Sequence, residues 1–297
     1  MSIPGQTVGV SVFTDYLLEA LNLSRDQLSF AYMAGTIASS LLLPWAGRLY
    51  DRFGARVTAA GAAFCLALVL ALLSKADILA GYIPRIPLLG PAAGSLLVIL
   101  PGFFALRLFG QGILTLSSRN MIAKWFDRRR GLVFGITGVF TALGFSSAPL
   151  VFDFAINLLG WREAWMALAL FIGVVFVPFS LAFFRDNPEE CGLLPDGETP
   201  VAEDSGESIP EPEVSATLPQ ARRTLAFWVF SLSFALSALY TTGLTFHVVS
   251  AFSSSGMARD QAIAIFLPAS IIAVTVHLFG GWLSDRIDLK ILLAVML

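Results

Sequence analysis

Long stretches without a charged side chain dominate this sequence and limit what it can fold into. Hydrophobic residues make up 56% of the chain and charged residues only 13%, which is far more apolar than an ordinary soluble domain. Each uncharged stretch has about 18 residues or more, enough for a helix to cross a hydrocarbon core of about 30 Å. Seven such spans are predicted: Leu28–Ala46, Val57–Ser74, Ile86–Leu106, Gly131–Phe152, Ala164–Phe184, Thr224–Ala258 and Gln261–Ser284.

Helices are the only form that these spans can take in lipid. Backbone groups in hydrocarbon must find partners within the segment, and the stretches are too long and too uniformly apolar for the strands of a membrane barrel. The sequence therefore predicts an all-α, polytopic membrane protein. Both ends are shorter: 14 residues precede Asp15, which reach about 21 Å as a helix, and seven follow Lys290. We expect an incomplete first helix and a chain that stops inside its ninth, as in a truncated gene product.

A change of composition divides the chain after the sixth span. Residues 186–221 hold six of the 15 prolines and ten of the 21 acidic residues, with few large apolar side chains. Such a composition is typical of a flexible linker. We predict a helical bundle over 1–185, an acidic linker over 186–221, and a partial second bundle over 222–297 that contains helices seven, eight and the start of nine.

A short polar motif follows the second span of each predicted bundle, which indicates a parallel repeat. In the first copy, Gly47 and Gly54 would permit close approach and a tight turn, while Asp51 could neutralise a helix N-terminus or pair with an arginine. Arg52 and Arg56 would hold the turn at an anionic lipid surface. The second copy retains Gly281, Asp285 and Arg286. The alternative is that any short loop beside a membrane contains Arg and Gly, and the recurrence of the motif weakens that reading.

The distribution of Lys and Arg predicts the orientation. When alternate loops are assigned to opposite sides, most of the basic residues, including those of both motif copies, fall on one side. Short cytoplasmic loops carry an excess of Lys and Arg, so we predict a multi-pass protein of the cell membrane with the motif loops and the linker in the cytoplasm.

These motifs resemble a known family. Gly47-x-Leu49-x-Asp51-Arg52-x-Gly54-x-Arg56 is similar to the loop signature between the second and third helices of the major facilitator superfamily, and Gly281-x-Leu283-x-Asp285-Arg286 is similar to its counterpart between helices eight and nine. Asp288 stands in the second copy where the pattern has a glycine. The resemblance implies secondary active transport by alternating access, with the motif loops as conformational gates. It also implies that Asp51 pairs with the start of a late helix of the second bundle, beyond these residues.

Other segments resemble one branch of that family, the monocarboxylate porters and oxalate/formate antiporters. The resemblance rests on four segments: Arg107-Leu108-Phe109-Gly110-Gln111-Gly112, Trp125-Phe126-x-Arg128-Arg129-Arg130-Gly131, Gly160-Trp161-Arg162, and Arg185-Asp186-x-Pro188-Glu189 after the sixth helix. It implies small organic anions, such as monocarboxylates or dicarboxylates, as substrates. A run of small residues from Gly135 to Pro149 is similar to an antiporter signature, which would allow exchange of anions; the alternative is ordinary close packing of helices.

Arg107 is the main candidate for contact with the substrate. A guanidinium within a span is costly to bury, stays charged, and can bind a carboxylate through two parallel hydrogen bonds. The alternative is a structural role in which Arg107 pairs with acidic or carbonyl groups that stabilise one conformation. Gln111, four residues later, would share its helix face. His247 lies in an uncharged span and could couple proton movement to transport, or could be a neutral hydrogen-bonded histidine.

Other classes of function find little support in the sequence. Cys65 lies in a predicted span and Cys191 in the predicted linker, so the two cysteines form neither a disulfide framework nor a metal cluster. The sequence also contains no phosphate-binding glycine loop and no zinc-protease motif. We therefore predict no enzyme activity, no cofactor, no metal and no nucleic-acid partner; the expected partners are a small anion, a coupling proton or exchanged anion, and the lipid bilayer. An intramembrane enzyme and a nontransporting sensor built on a transporter scaffold are the alternatives.

Overall fold

The computed structural model describes residues 2–83, 92–197, 217–256 and 266–287, and the regular secondary structure of these residues is helical. The prediction of an all-α fold is confirmed. The helices, in chain order, are α1 (Thr7–Ser11), α2 (Thr14–Leu21), α3 (Arg25–Leu73), α4 (Ala76–Tyr82), α5 (Ala93–Trp125), α6 (Arg130–Leu159), α7 (Trp161–Phe183), α8 (Leu218–Ala221), α9 (Leu225–Ser254) and α10 (Phe266–Ser284).

Four of these helices, α3, α5, α6 and α7, are long and apolar enough to cross a membrane. α9 and α10 contain the shorter apolar stretches Leu225–Tyr240 and Ile271–Ser284. Large hydrophobic side chains lie exposed along the long helices, among them Leu41, Phe140 and Leu150, each at least 70% exposed. Exposed apolar surface of this kind is stable against lipid and not against water.

α3 contains two predicted spans in series. It begins at a capping box in which Gln27 N donates to Ser24 Oγ and Ser24 N donates to Gln27 Oε1. Its backbone leaves helical geometry at Gly54, where φ is 74° and ψ is 178°. The motif was predicted to form a turn over residues 47–56, but the helix continues through Gly47 to Phe53 and the chain turns at one residue. Only a glycine adopts this backbone conformation readily, which is why the break falls there.

α5 runs through Arg107. The uncharged stretch ends at Leu106, but Arg107 was predicted to lie within a span, and the helix continues past it to Trp125. Arginine is a good helix former, and its charge is tolerated within this helix because the side chain is buried inside the protein. Residues Arg107–Ile113 are wound as a π-helix, a geometry that is frequent at functional sites.

The residues before α3 do not form one continuous helix. Pro4 lies in a 3₁₀ turn, Ile3–Gly5, and α1 and α2 follow as separate helices. The turn packs on α5 through two glycines: a Cβ on Gly5 would lie 2.6 Å from the Gly110 Cα, and a Cβ on Gly110 would lie equally close to the Gly5 Cα. This close approach places the start of the chain directly beside the π-helical segment.

The contacts divide the chain into two compact units. The first unit comprises Met1–Arg130 and Phe140–Thr199, and the second comprises Gly131–Val139 and Pro200–Leu297. The core of the first unit contains Phe13, Leu66, Phe103 and Trp165, with the Phe13 and Trp165 ring centroids 4.8 Å apart. The division into 1–185, 186–221 and 222–297 stays a prediction.

One end of the first unit is held by an ion pair between α4 and α7. Arg162 donates to both oxygens of Asp77, over 3.3 Å and 2.5 Å, and its guanidinium lies 4.4 Å from the Trp161 ring centroid. Hydrogen bonds from Arg162 hold the pKa of the Asp77 carboxyl below its usual value. The Arg162 side chain is 41% exposed and that of Asp77 is 23% exposed, so solvent screens the ion pair and its contribution to stability is modest.

Asp77→Asn is expected to lower the free energy of unfolding at neutral pH by up to about 1 kcal/mol. In the unfolded chain Asp77 regains its ordinary pKa, so the pair contributes above that value and loses its contribution as pH falls through the lower folded pKa. Thermal unfolding across a pH series should therefore show the difference between wild type and variant shrinking in acid. Asp15→Asn removes a far more exposed pair, with Arg25, and should change little. A difference that persists unchanged in acid would contradict this account.

Candidate functional site

Arg107 lies at the start of the π-helical segment of α5 and is only 6% exposed. Its Nη1 donates to the Gly5 carbonyl oxygen over 3.4 Å and to Thr7 Oγ1 over 3.5 Å, both long for hydrogen bonds. Its Nε has no hydrogen-bond partner among the described residues. No carboxylate of the described residues forms an ion pair with it. The guanidinium is thus buried with donor capacity that the surrounding groups use poorly.

The groups that contact this guanidinium are uncharged, and further uncharged polar side chains lie on the same elements. The Arg107 guanidinium carbon lies 5.1 Å from the Tyr32 ring centroid, and Tyr32 OH donates to Thr7 Oγ1 over 2.9 Å. Gln111 Oε1 is buried and has no partner among the described residues. Gln6 Nε2 donates to Thr115 Oγ1 over 3.5 Å. We call these residues the Arg107 cluster: Gln6, Thr7, Tyr32, Arg107, Gln111 and Thr115.

The cluster offers a fixed cation whose Nε has no partner and, four residues later in the same π-helical segment, a buried acceptor, Gln111 Oε1, that also has none among the described residues. A buried polar group without a partner is destabilising, so such groups indicate a place where a ligand supplies the missing bonds. A carboxylate can accept two parallel hydrogen bonds from a guanidinium. Gln111 Oε1 could accept from a hydroxyl group of the same ligand. An anionic small molecule is therefore the species that this arrangement is chemically suited to bind.

The sequence identified part of this cluster. Arg107 and Gln111 were predicted from their position within a span, and the structure places both in the same π-helical segment. Tyr32, Thr7 and Thr115 were not predicted, since single Tyr and Thr residues are common in membrane helices. Gln6 and Thr7 directly follow Pro4-Gly5, which lies in the 3₁₀ turn before α1. The side chain of His247, in α9, lies outside the described residues.

In the first motif copy, the charged side chains of Asp51 and Arg52 are exposed. The Arg52 guanidinium carbon lies 5.3 Å from the Phe53 ring centroid. Among the described residues no hydrogen bond or ion pair involves Asp51. Gly47 lies within α3 with open space where a Cβ would stand, so the described structure gives no close approach there. Gly54 and Arg56 are the motif residues that contact a distant part of the chain: Gly54 packs against the Asp186 carboxylate, and Arg56 N donates to Asp186 Oδ1 over 2.8 Å.

In the second motif copy, Asp285 caps the N-terminal end of α6 within the second unit. Its Oδ1 accepts from Gly131 N over 2.7 Å and its Oδ2 accepts from Leu132 N over 2.9 Å. The first backbone N–H groups of a helix lack partners inside the helix, and its N-terminus carries partial positive charge, so a carboxylate is well placed here.

The packing around this cap requires small residues. A Cβ on Gly281 would lie 2.8 Å from the Gly135 Cα, and a Cβ on Gly135 would lie 2.6 Å from the His277 carbonyl oxygen. Arg286 stacks on Trp282, with its guanidinium carbon 4.1 Å from the ring centroid. The three predicted residues of the second copy, Gly281, Asp285 and Arg286, thus each make a specific contact.

Apolar helices of spanning length, with a buried guanidinium and a Gly/Asp/Arg motif that occurs twice, define a polytopic helical membrane protein. The chain belongs to the Major Facilitator Superfamily, whose family model matches residues 2–297. Membership of this family of transporters confirms three predictions: the family, a multi-pass membrane protein, and a function other than enzyme catalysis.

Two curated proteins show what the chain is similar to. It is 25% identical over 284 residues to a hexuronate transporter of Bacillus subtilis (strain 168), a match that covers 95% of this chain and 61% of the relative. It is 27% identical over 188 residues to the probable sulfoacetate transporter SauU of Cupriavidus necator, covering 62% of this chain and 38% of the relative. The chain thus spans at most about three fifths of either relative, and no solved structure matches it.

Proposed function

We propose that this protein is a secondary active transporter of small organic anions that works by alternating access. The single observation that carries the proposal is the state of Arg107, which is buried, positively charged, and without an acidic partner among the described residues. A buried guanidinium is stable when an anion compensates it. A substrate carboxylate would supply that compensation through the two-pronged geometry that arginine favours.

The curated relatives support an anionic substrate. One is named for hexuronate and the other for sulfoacetate, and each of these molecules carries a carboxylate. For this chain we propose monocarboxylates or dicarboxylates, in keeping with its resemblance to the monocarboxylate porter and oxalate/formate antiporter branch. Gln111 would accept a hydrogen bond from the substrate. His247 remains the candidate for coupling to a proton, and an exchanged anion is the alternative.

The two motif copies are proposed as conformational gates on the cytoplasmic side of the cell membrane. The cap that Asp285 places on the start of α6 is the kind of contact that a gate can break and remake, because it joins a carboxylate to N–H groups at an exposed helix end. Gly47, Asp51, Arg52, Gly54 and Arg56 would form the equivalent gate of the first copy. The excess of Lys and Arg on these loops supports their cytoplasmic placement.

Uptake into vesicles containing the purified chain tests the proposal. The probes are radiolabelled glucuronate, sulfoacetate, succinate and lactate, with glucuronamide as the matched control because it replaces the carboxylate of glucuronate with a neutral amide. Saturable uptake of at least one anion, together with failure to take up the amide, supports the proposal. Ligand-dependent thermal stabilisation by an anion without any uptake would overturn it and favour the nontransporting sensor. Equal uptake of acid and amide would overturn the role of the anion.

A further inference from the structure

The residues that follow α7 return along the first unit and contact two separate turns. These residues, 186–197, are here called the strap. They contain two short 3₁₀ turns, Pro188–Cys191 and Pro195–Gly197, and belong to the same compact unit as both of the turns that they contact. Two of the carboxylates in the strap, those of Asp186 and Asp196, accept hydrogen bonds from backbone N–H groups elsewhere in that unit.

Asp186 contacts α3 at Gly54, where the helix is interrupted. Its Oδ1 accepts from Arg56 N over 2.8 Å, and its carboxylate occupies the space where a Cβ on Gly54 would stand. Arg56 also reaches toward the end of α7, where its Nε donates to the Leu181 carbonyl oxygen over 2.5 Å. The helical segment that restarts after Gly54 is thereby capped by a residue 130 positions later in the chain.

Asp196 holds the turn between α5 and α6. Its Oδ2 accepts from Asp127 N over 3.2 Å and from Arg128 N over 2.8 Å, while its Oδ1 accepts from Arg129 N over 3.3 Å. Three successive N–H groups that converge on one carboxylate form an anion-binding nest. Although partial burial opposes ionisation, these N–H donors hold the pKa of Asp196 below its usual value.

The contacts of the strap are selective. Glu189 and Glu190 lie in the same segment, yet both are exposed and neither forms a side-chain hydrogen bond or ion pair with the described residues. Asp196 is held in a left-handed backbone conformation, with φ of 62°, which is uncommon for a residue other than glycine. A third contact anchors the start of the strap, where Trp125 Nε1 donates to the Arg185 carbonyl oxygen over 3.2 Å.

We infer that the strap is a positioning device that ties the Gly54 turn and the turn at residues 127–129 to each other, so that both turns open and close together. Asp186 and Asp196 are its two positioning residues. Gly54 lies three residues after Asp51, so the strap sets the position from which the first motif copy acts. This role rests on the contacts within the first unit, and only its bearing on gating rests on the proposed function.

Hydrogen exchange of the backbone amides measures the device without any substrate. Asp196→Ala removes the acceptor of the nest, so exchange at residues 127–129 should accelerate about tenfold or more, because a lost bond to a charged group shifts local opening by at least that factor. If the strap ties the two turns, the same variant must also accelerate exchange at Arg56, which Asp196 does not contact. Asp186→Ala should show the converse, with faster exchange at residues 127–129.

Two further variants make the result decisive. Asp186→Asn keeps an acceptor oxygen, so exchange at Arg56 should fall between the wild type and Asp186→Ala. Glu190→Gln removes one charge from the strap without removing a contact, and should leave both turns unchanged. Acceleration confined to the turn that each aspartate contacts would overturn the inference and leave two independent caps. Equal acceleration by Glu190→Gln would overturn it in favour of a general charge effect. Unchanged exchange around Asp77 verifies that each variant is folded.

Discussion

Replacing Arg107 with alanine is expected to reduce anion uptake by about thirtyfold or more. Truncation of one partner of a buried, hydrogen-bonded charge pair costs roughly 2–5 kcal/mol, and here the other partner would be the carboxylate of the substrate. The folded protein should tolerate the change, because the bonds from Arg107 to Gly5 and Thr7 are long, at 3.4 and 3.5 Å. Thermal unfolding of the variant should therefore occur at the same temperature as the wild type or slightly higher.

Arg107→Lys separates charge from geometry. Lysine retains the positive charge but lacks the planar fork, so it should bind the anion more weakly than arginine and better than alanine. The measurements are the uptake rate over a range of anion concentrations and the unfolding temperature. If Arg107→Ala lowers stability and leaves the apparent affinity for the anion unchanged, the side chain acts by pairing with the Gly5 carbonyl oxygen, and the structural alternative is correct.

Gly54→Ala is expected to be the most damaging single-methyl change in α3. The φ of 74° and ψ of 178° at Gly54 lie in a region that is essentially restricted to glycine, and forcing another residue into it costs roughly 1–3 kcal/mol. The added Cβ would also overlap the Asp186 carboxylate and displace the cap from Arg56 N. Both effects act together, so we expect a clear fall in unfolding temperature and in the yield of folded protein.

Gly61→Ala is the matched control for that substitution. Gly61 lies in the same helix with regular geometry, and no atom of the described residues outside the helix backbone lies within 4 Å of the place where a Cβ would stand. Alanine is favoured over glycine in a helix interior by about 1 kcal/mol, so this variant should be neutral or slightly more stable. Thermal unfolding of both variants in the same detergent compares them directly. Equal stability of the two variants would show that the break at Gly54 needs neither its backbone geometry nor its contact with Asp186.

The sequence predicted local features well where one physical rule dominated. The exclusion of charge from apolar spans predicted the long helices, and the repeated motif predicted the family. Boundaries were less certain where two rules competed. The uncharged stretch before Arg107 ends at Leu106, yet helix α5 continues past it to Trp125, because the side chain is buried within the protein and because arginine favours helices.

The candidate site was predictable only in part for a related reason. Arg107 and Gln111 stand out because charged and amide side chains are rare within spans. Thr7 and Tyr32 carry no comparable signal, and they join the cluster because Gly5 and Gly110 allow the start of the chain to approach α5 closely. A close contact between residues about a hundred positions apart depends on packing, and local sequence patterns do not report it.

The sequence by itself determined that this chain resides in lipid, that its helices are long and apolar, and that it carries two copies of a transporter motif. These properties depend on the kinds of residue and on their spacing along the chain, because apolar side chains partition into lipid and charged side chains into water whatever the tertiary fold. The tertiary structure alone decided which backbone N–H groups the carboxylates satisfy. Asp186, Asp196 and Asp285 each cap a turn or helix far away in sequence. A carboxylate can accept from any exposed N–H group, so only the folded arrangement selects the partner.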